Sequence, residues 1–152
     1  MPVLVIVSCG KRKVWDRHPT VGPVRAKDAY IGAPFKVNRR YAEKFADRWV
    51  ILSAKYGFID PDFVIPGNYS VTFRDPRTNP ISVESLVEQI RRKGLDKFDK
   101  VVVLGGRDYV NVVREAFKGF DVRVAAPTLG LPLGEAMRRV KRAIEGNSPF
   151  DC

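Results

Sequence analysis

Apolar residues gather in four short runs: Pro2 to Val7 (PVLVIV), Trp49 to Leu52 (WVIL), Lys100 to Leu104 (KVVVL) and Val122 to Ala125 (VRVA). Each reads as a short strand, and the first, continuously apolar, has the pattern of a strand buried on both faces. Between them the period changes to that of a helix. Pro34 stands where a helix begins, and Phe35, Asn38, Ala42 and Phe45 follow at helical spacing. A second helix runs from about Ser82 to Lys93, with Ser82 as its cap, Glu84 and Ser85 in its first turn and Gly94 as its stop. A third spans Arg107 to Phe117, with Tyr109, Val112, Val113 and Phe117 on one side. The last, Leu133 to Ile144, carries the stripe Leu133, Met137, Val140 and Ile144, with Arg138, Arg139 and Arg142 off it. Residues 14–33 read as loop, punctuated by Pro19, Gly22, Pro23 and Gly32. The proline-rich stretch 57–80 reads as an extended excursion with a short strand at Tyr69 to Phe73.

Strands alternating with helices predict one three-layer α/β domain over residues 1–146. Its sheet is mostly parallel, with four to five strands and helices on both faces. Residues 147–152 are expected to fray. In open sheets of this kind ligands bind beyond the carboxyl ends of the strands, so those ends are read together.

Charge then changes the picture. The 152 residues carry a net +10. From Lys11 to Arg48, eleven Lys or Arg stand against Asp16, Asp28, Glu43 and Asp47, so that segment holds +7. Such a surface suits a polyanion: nucleic acid or a nucleotide. No apolar run approaches the ~18 residues of a membrane span, and no secretory leader is visible, so a cytoplasmic protein without a membrane partner is expected. His18, Cys9 and Cys152 supply neither a disulfide framework nor an ordinary zinc site, and no metal or cofactor is expected.

The first strand ends in Ser8-Cys9-Gly10-Lys11-Arg12-Lys13 and the second in Ser53-Ala54-Lys55-Tyr56-Gly57. The third ends in Gly105-Gly106-Arg107-Asp108-Tyr109, straight into a helix. The fourth ends in Pro127 to Gly134. Glycines let backbone N–H groups approach a phosphate, lysines add charge, hydroxyls add donors and tyrosines can stack on a base. Lys11, Lys13 and Lys55 are expected to converge on one anion. Neither a Walker A loop nor a G-x-G-x-x-G motif is present. Cys9 beside Lys11 and Lys13 is a candidate nucleophile without an evident base. Asp28, Asp60 and Asp108 are candidate general bases, and Asp28 leads because Asp60 suits a turn and Asp108 a first helical turn.

The segments "VSCGKRK", "AKDAYIGAPFKVNRRYAE" and "VILSAKYGFIDPDFVIPGNY" resemble a family of small uncharacterised prokaryotic and phage domains. The shared positions are Ser8, Lys11, Lys13, Asp28, Tyr30, Gly32, Phe35, Ser53, Lys55, Tyr56, Gly57 and Pro61, with Gly106, Tyr109 and "GLPLGEAMRRVKRAI" later. More distantly the pattern is similar to the YaaA family of DNA-binding peroxide-stress proteins and to a domain of archaeosine synthase, both grouped with uracil-DNA-glycosylase-like α/β folds. The resemblance implies nucleic-acid or nucleobase work. The glycosylase "GQDPYH" loop is absent. Three functions follow: binding of a nucleic acid or nucleotide phosphate at the carboxyl edge, an enzyme acting on a nucleobase or N-glycosidic bond with Asp28 as base, or a non-catalytic subunit that depends on a partner.

Overall fold

A computed structural model describes residues 2–150. Strand β1 (Val3–Ser8) is followed by two one-turn helices, α1 (Val14–Arg17) and α2 (Ala26–Ala29), separated by the two-residue strand β2 (Val24–Arg25). Helix α3 (Ala33–Phe45) leads to β3 (Arg48–Ser53), which turns back into β4 (Gly57–Ile59); β5 (Val64–Ile65) follows. Then come α4 (Val83–Lys93), β6 (Lys100–Leu104), α5 (Arg107–Phe117), β7 (Arg123–Ala125) and α6 (Leu133–Glu145).

The main sheet has the order β4-β3-β1-β6-β7. Strand β1 is central and parallel to both β3 and β6, β6 is parallel to β7, and only β4 is antiparallel. The pairings Val7↔Ile51 and Val7↔Leu104 put the ends of three strands side by side. The apolar run of β1 divides by parity. Val5 and Val7 pack with α3 and α6 through Tyr41, Ala42, Val140 and Ile144. Leu4 and Ile6 pack on the other face with Leu86, Ile90, Val110, Val113 and Phe117 of α4 and α5. Each such large side chain, once fully buried, contributes about 1.5–3 kcal/mol. The expected α/β domain with a mostly parallel sheet flanked by helices is what the chain forms, and that sheet has five strands.

Four local readings change. Residues 14–33 are not plain loop: Trp15 is buried and its Nε1 donates to the Gly22 carbonyl at 2.8 Å, which fixes α1 against the core. Tyr69 to Phe73 forms no strand; β2 pairs instead with β5 in a small antiparallel ladder. Leu133 is 62% exposed, so the inward stripe of α6 runs through Met137, Val140, Ala143 and Ile144. Lastly, the chain remains engaged as far as Phe150, which stacks on Tyr41 at 5.0 Å and donates its N–H to the Tyr41 hydroxyl. Its carbonyl accepts from Lys100 Nζ at 2.7 Å. Asp151 and Cys152 lie outside the described residues.

Helix α4 behaves as the sequence predicts. The Ser82 hydroxyl accepts from the Ser85 N–H, and Gly94 closes the helix. Its side chains also grip β4. Gln89 Oε1 accepts from Phe58 N, Gln89 Nε2 donates to the Tyr56 carbonyl, and Lys93 Nζ donates to the Phe58 carbonyl. Gly57, between them, has φ +80, and a Cβ there would collide with the Gln89 amide.

Candidate functional site

In the sheet order, chain connections leave β1 toward β3 on one side and return to β6 on the other, which makes the carboxyl end of β1 a topological switch point. A cleft of about 910 Å³ opens there. One wall is the segment after β1: Cys9, Gly10, Lys11, Arg12, Lys13 and Asp16. The other is a strap, Asn68 to Thr72 with Arg74, and Tyr109 of α5 closes the base. Thr78 clasps the strap: its Oγ1 accepts from Thr72 N and donates toward the Thr72 and Asp75 carbonyls. Phe73 packs edge-on against Tyr109 at 5.0 Å.

The opening wall is stiff. Cys9 N donates to the Leu52 carbonyl, which carries the ladder one residue past β1. Lys13 bridges to Tyr30, and Ile31 N donates to the Arg12 carbonyl. Asp16 Oδ2 accepts from Lys13 N at 2.8 Å, and Oδ1 from Asn68 Nδ2 at 3.5 Å. That backbone hydrogen bond holds the Asp16 carboxyl below the usual carboxylate range. Among the described residues the only acid lining the cleft is thereby committed to the turn.

Lys13 is the unusual cation. It is 7% exposed although it lines the cleft. Its Nζ lies 4.6 Å from the centre of the Tyr69 ring, and its one hydrogen bond is to the Lys11 carbonyl at 3.4 Å. No ion pair among the described residues includes it. Burial holds its pKa below the ordinary lysine value, and Cys9 and then Asp16 partly oppose this.

Beneath the cleft runs a row of hydroxyls. Tyr30 and Tyr69 are joined at 2.5 Å, and Tyr69 and Ser53 at 2.9 Å. Ser53 Oγ also accepts from the N–H groups of Lys55 and Tyr56. The Cys9 thiol hydrogen-bonds the Tyr109 hydroxyl at 3.6 Å. Burial first, and Cys9 second, push the hydroxyls of Tyr30, Tyr69 and Tyr109 above the usual phenol range, so all three stay neutral.

The structure therefore sorts the sequence-predicted residues. Cys9, Lys11, Lys13 and Tyr109 line the cleft. Ser8 donates to the Leu104 carbonyl, and a Cβ on Gly105 would overlap its hydroxyl, so this pair clamps β1 to β6. Ser53 is wholly buried and, with Tyr30, supports Tyr69 from below. Lys55 lies 5.9 Å from the Tyr69 ring centre and 5.3 Å from that of Tyr56. Lys13 and Lys55 each lie within 6 Å of the Tyr69 ring centre, but Lys55 is not among the residues lining the cleft, and Lys11 is linked to Lys13 only through its carbonyl. Gly32 and Gly106 precede α3 and α5, and Gly57 begins β4.

Asp28 is not brought in. Its side chain is 55% exposed and paired with Arg39 at 3.3 Å, so it lacks the desolvation a water-activating base needs. The tyrosine rings already have protein contacts: Tyr69 with Lys13 and Tyr56, half-buried Tyr56 also with Phe63 and Lys55, and Tyr109 with Phe73, while Tyr30 is 2% exposed. Sequence reading missed Asn68, Ser70, Thr72 and Arg74. The proline-rich composition of 57–80 hides a strap whose place depends on the Thr72–Thr78 clasp rather than on periodicity.

Among the described residues there is no group of His, Cys, Asp or Glu able to hold a metal ion, and no helix is long and apolar enough to cross a membrane. A solved structure, that of AF0587, a protein of unknown function, is similar with a TM-score of 0.47 and 18% identity. It matches 98% of this chain, which spans 46% of that protein's length. An uncharacterised protein of Bacillus subtilis (strain 168), YfjM, is 39% identical over 146 residues, covering 95% of this chain and 97% of YfjM. Residues 4–142 match the family of unknown function DUF6884, and the chain belongs to that family.

Proposed function

We propose that the cleft binds the phosphate of a nucleic acid or nucleotide. The observation that carries this reading is the charge of one concave site. Lys11, Arg12, Lys13 and Arg74 all line it, and Asp16, the single carboxylate among its described residues, is already committed to Lys13 N and Asn68. Cations left without counter-charges repel one another, and an anion relieves that cost. The +7 segment from Lys11 to Arg48 adds a surrounding field that draws a polyanion in. The sequence resemblance to YaaA and archaeosine synthase, and the glycosylase-like fold it implies, point to the same partner class. A nucleic-acid partner also fits a cytoplasmic protein. With Asp28 on the surface, a hydrolase reading has no desolvated carboxylate to rest on.

The test is binding of labelled single- and double-stranded oligonucleotides over a salt series. Four cations engaged give a log–log slope of about −3 to −4. The double variant Arg12→Ala/Arg74→Ala lowers affinity and flattens the slope by about 2. Salt-independent binding, or no binding at low salt, refutes the reading.

A further inference from the structure

Resting on that phosphate reading, we infer that the cleft seats a terminal phosphomonoester, at the end of a nucleic-acid strand or on a mononucleotide, with Lys13 against its oxygens.

Three observations select the monoester. Lys13 is recessed, and its main chain is pinned by the Tyr30 bridge and the Asp16 carboxylate. Its ammonium sits over Tyr69 rather than extending into solvent. Phosphates along a duplex are flanked on both sides by further nucleotides, and a recessed lysine cannot swing out to meet them. A chain end offers a group that projects alone and can enter. Charge agrees: Lys11, Arg12, Lys13 and Arg74 face one committed carboxylate. A phosphomonoester carries about −1.5 to −2 at neutral pH, and an internal diester only a single charge. The aromatic surface agrees as well. Strand binders without sequence preference use open ring faces, whereas the rings of Tyr69 and Tyr109 are engaged by protein groups. The phosphate, not the base, supplies the recognition.

The experiment compares a short single strand bearing a 5′-phosphate, the same strand with a 3′-phosphate, and the same strand with hydroxyl ends, all at one salt concentration. A nucleoside monophosphate is the competitor. The expected result is at least about tenfold tighter binding of a phosphorylated end than of hydroxyl ends. Lys13→Met is expected to remove that preference, while Lys11, Arg12 and Arg74 keep the residual binding of the hydroxyl-ended strand. Competition by the monophosphate at the affinity of the phosphorylated strand assigns the seat to free nucleotides. Competition only at much higher concentration assigns it to strand ends, and both patterns support the seat. Equal binding of phosphorylated and hydroxyl-ended strands overturns the inference and leaves the phosphate-binding cleft standing. Absence of binding by every probe removes both. The contrast is measured on the unaltered protein, so it holds whether or not Lys13→Met folds.

Discussion

Lys13 and Lys93 stand in two regions that look alike in one respect and differ in another. Burial lowers the pKa of both. At the flank of the sheet, Lys93 Nζ donates to the Phe58 carbonyl, with Asp60 opposing the shift. At the carboxyl edge, Lys13 faces a cleft with a long hydrogen bond and, among the described residues, no ion pair. Desolvating an ammonium is costly in both places. At the flank a strand carbonyl answers the cost, and in the cleft no protein group fully does. Identical side-chain chemistry thus serves cohesion in one region and is held open in the other.

The largest expected effect tests the flank. Gly57→Val forces a β-branched residue to φ +80 and into the Gln89 amide. A loss of about 3 kcal/mol or more is expected in denaturant unfolding. Anion affinity per folded molecule should persist, because Gly57 does not line the cleft.

The paired lysines come next. Lys93→Met leaves the Phe58 carbonyl without its donor and is expected to cost about 1–2 kcal/mol. Lys13→Met keeps the apolar stem over Tyr69 and removes a buried charge, so its Tm should equal or exceed that of the unaltered protein while anion binding falls. If both variants shift Tm in the same direction and by the same amount, the contrast between the regions is false.

The pH dependence sharpens it. The native state releases the Lys13 proton more readily than the unfolded chain, whose lysine keeps the ordinary 10.5. Below the lowered folded value both states are protonated and the desolvation cost is constant. Between that value and 10.5 the unfolded chain binds more protons, so stability rises with pH. The stability advantage of Lys13→Met should therefore narrow as pH approaches 10.5 and stay level toward neutrality. A gap that widens on the alkaline side contradicts the assignment.

The smallest effect is expected at Asp28→Asn. The ion pair with Arg39 is exposed, and its loss should cost less than about 0.5 kcal/mol and leave oligonucleotide binding unchanged.

The layered core was legible because its signals are local. The β1 run predicts burial on both faces, and Ser82 and Gly94 mark the ends of α4 as the chain uses them. The cleft was half legible. Cys9, Lys11 and Lys13 follow a strand end and Tyr109 starts a helix, positions that α/β topology makes meaningful. The strap was not legible, since Arg74 reaches the cleft through the long-range packing of Phe73 on Tyr109 and the local clasp of Thr78 on Thr72, neither of which leaves a periodic trace. Asp28 misled because a carboxylate between Lys27 and Tyr30 says nothing of Arg39, which lies eleven residues on and neutralises it.

The grip of α4 on β4 has one more consequence. Phe58 belongs to the outermost strand on its side of the sheet, and its N–H and C=O are the groups a foreign strand would seek. Gln89 and Lys93, one helical turn apart, occupy both. They act as a substitute for the missing neighbour, so this border offers no template for edge-to-edge aggregation through Phe58.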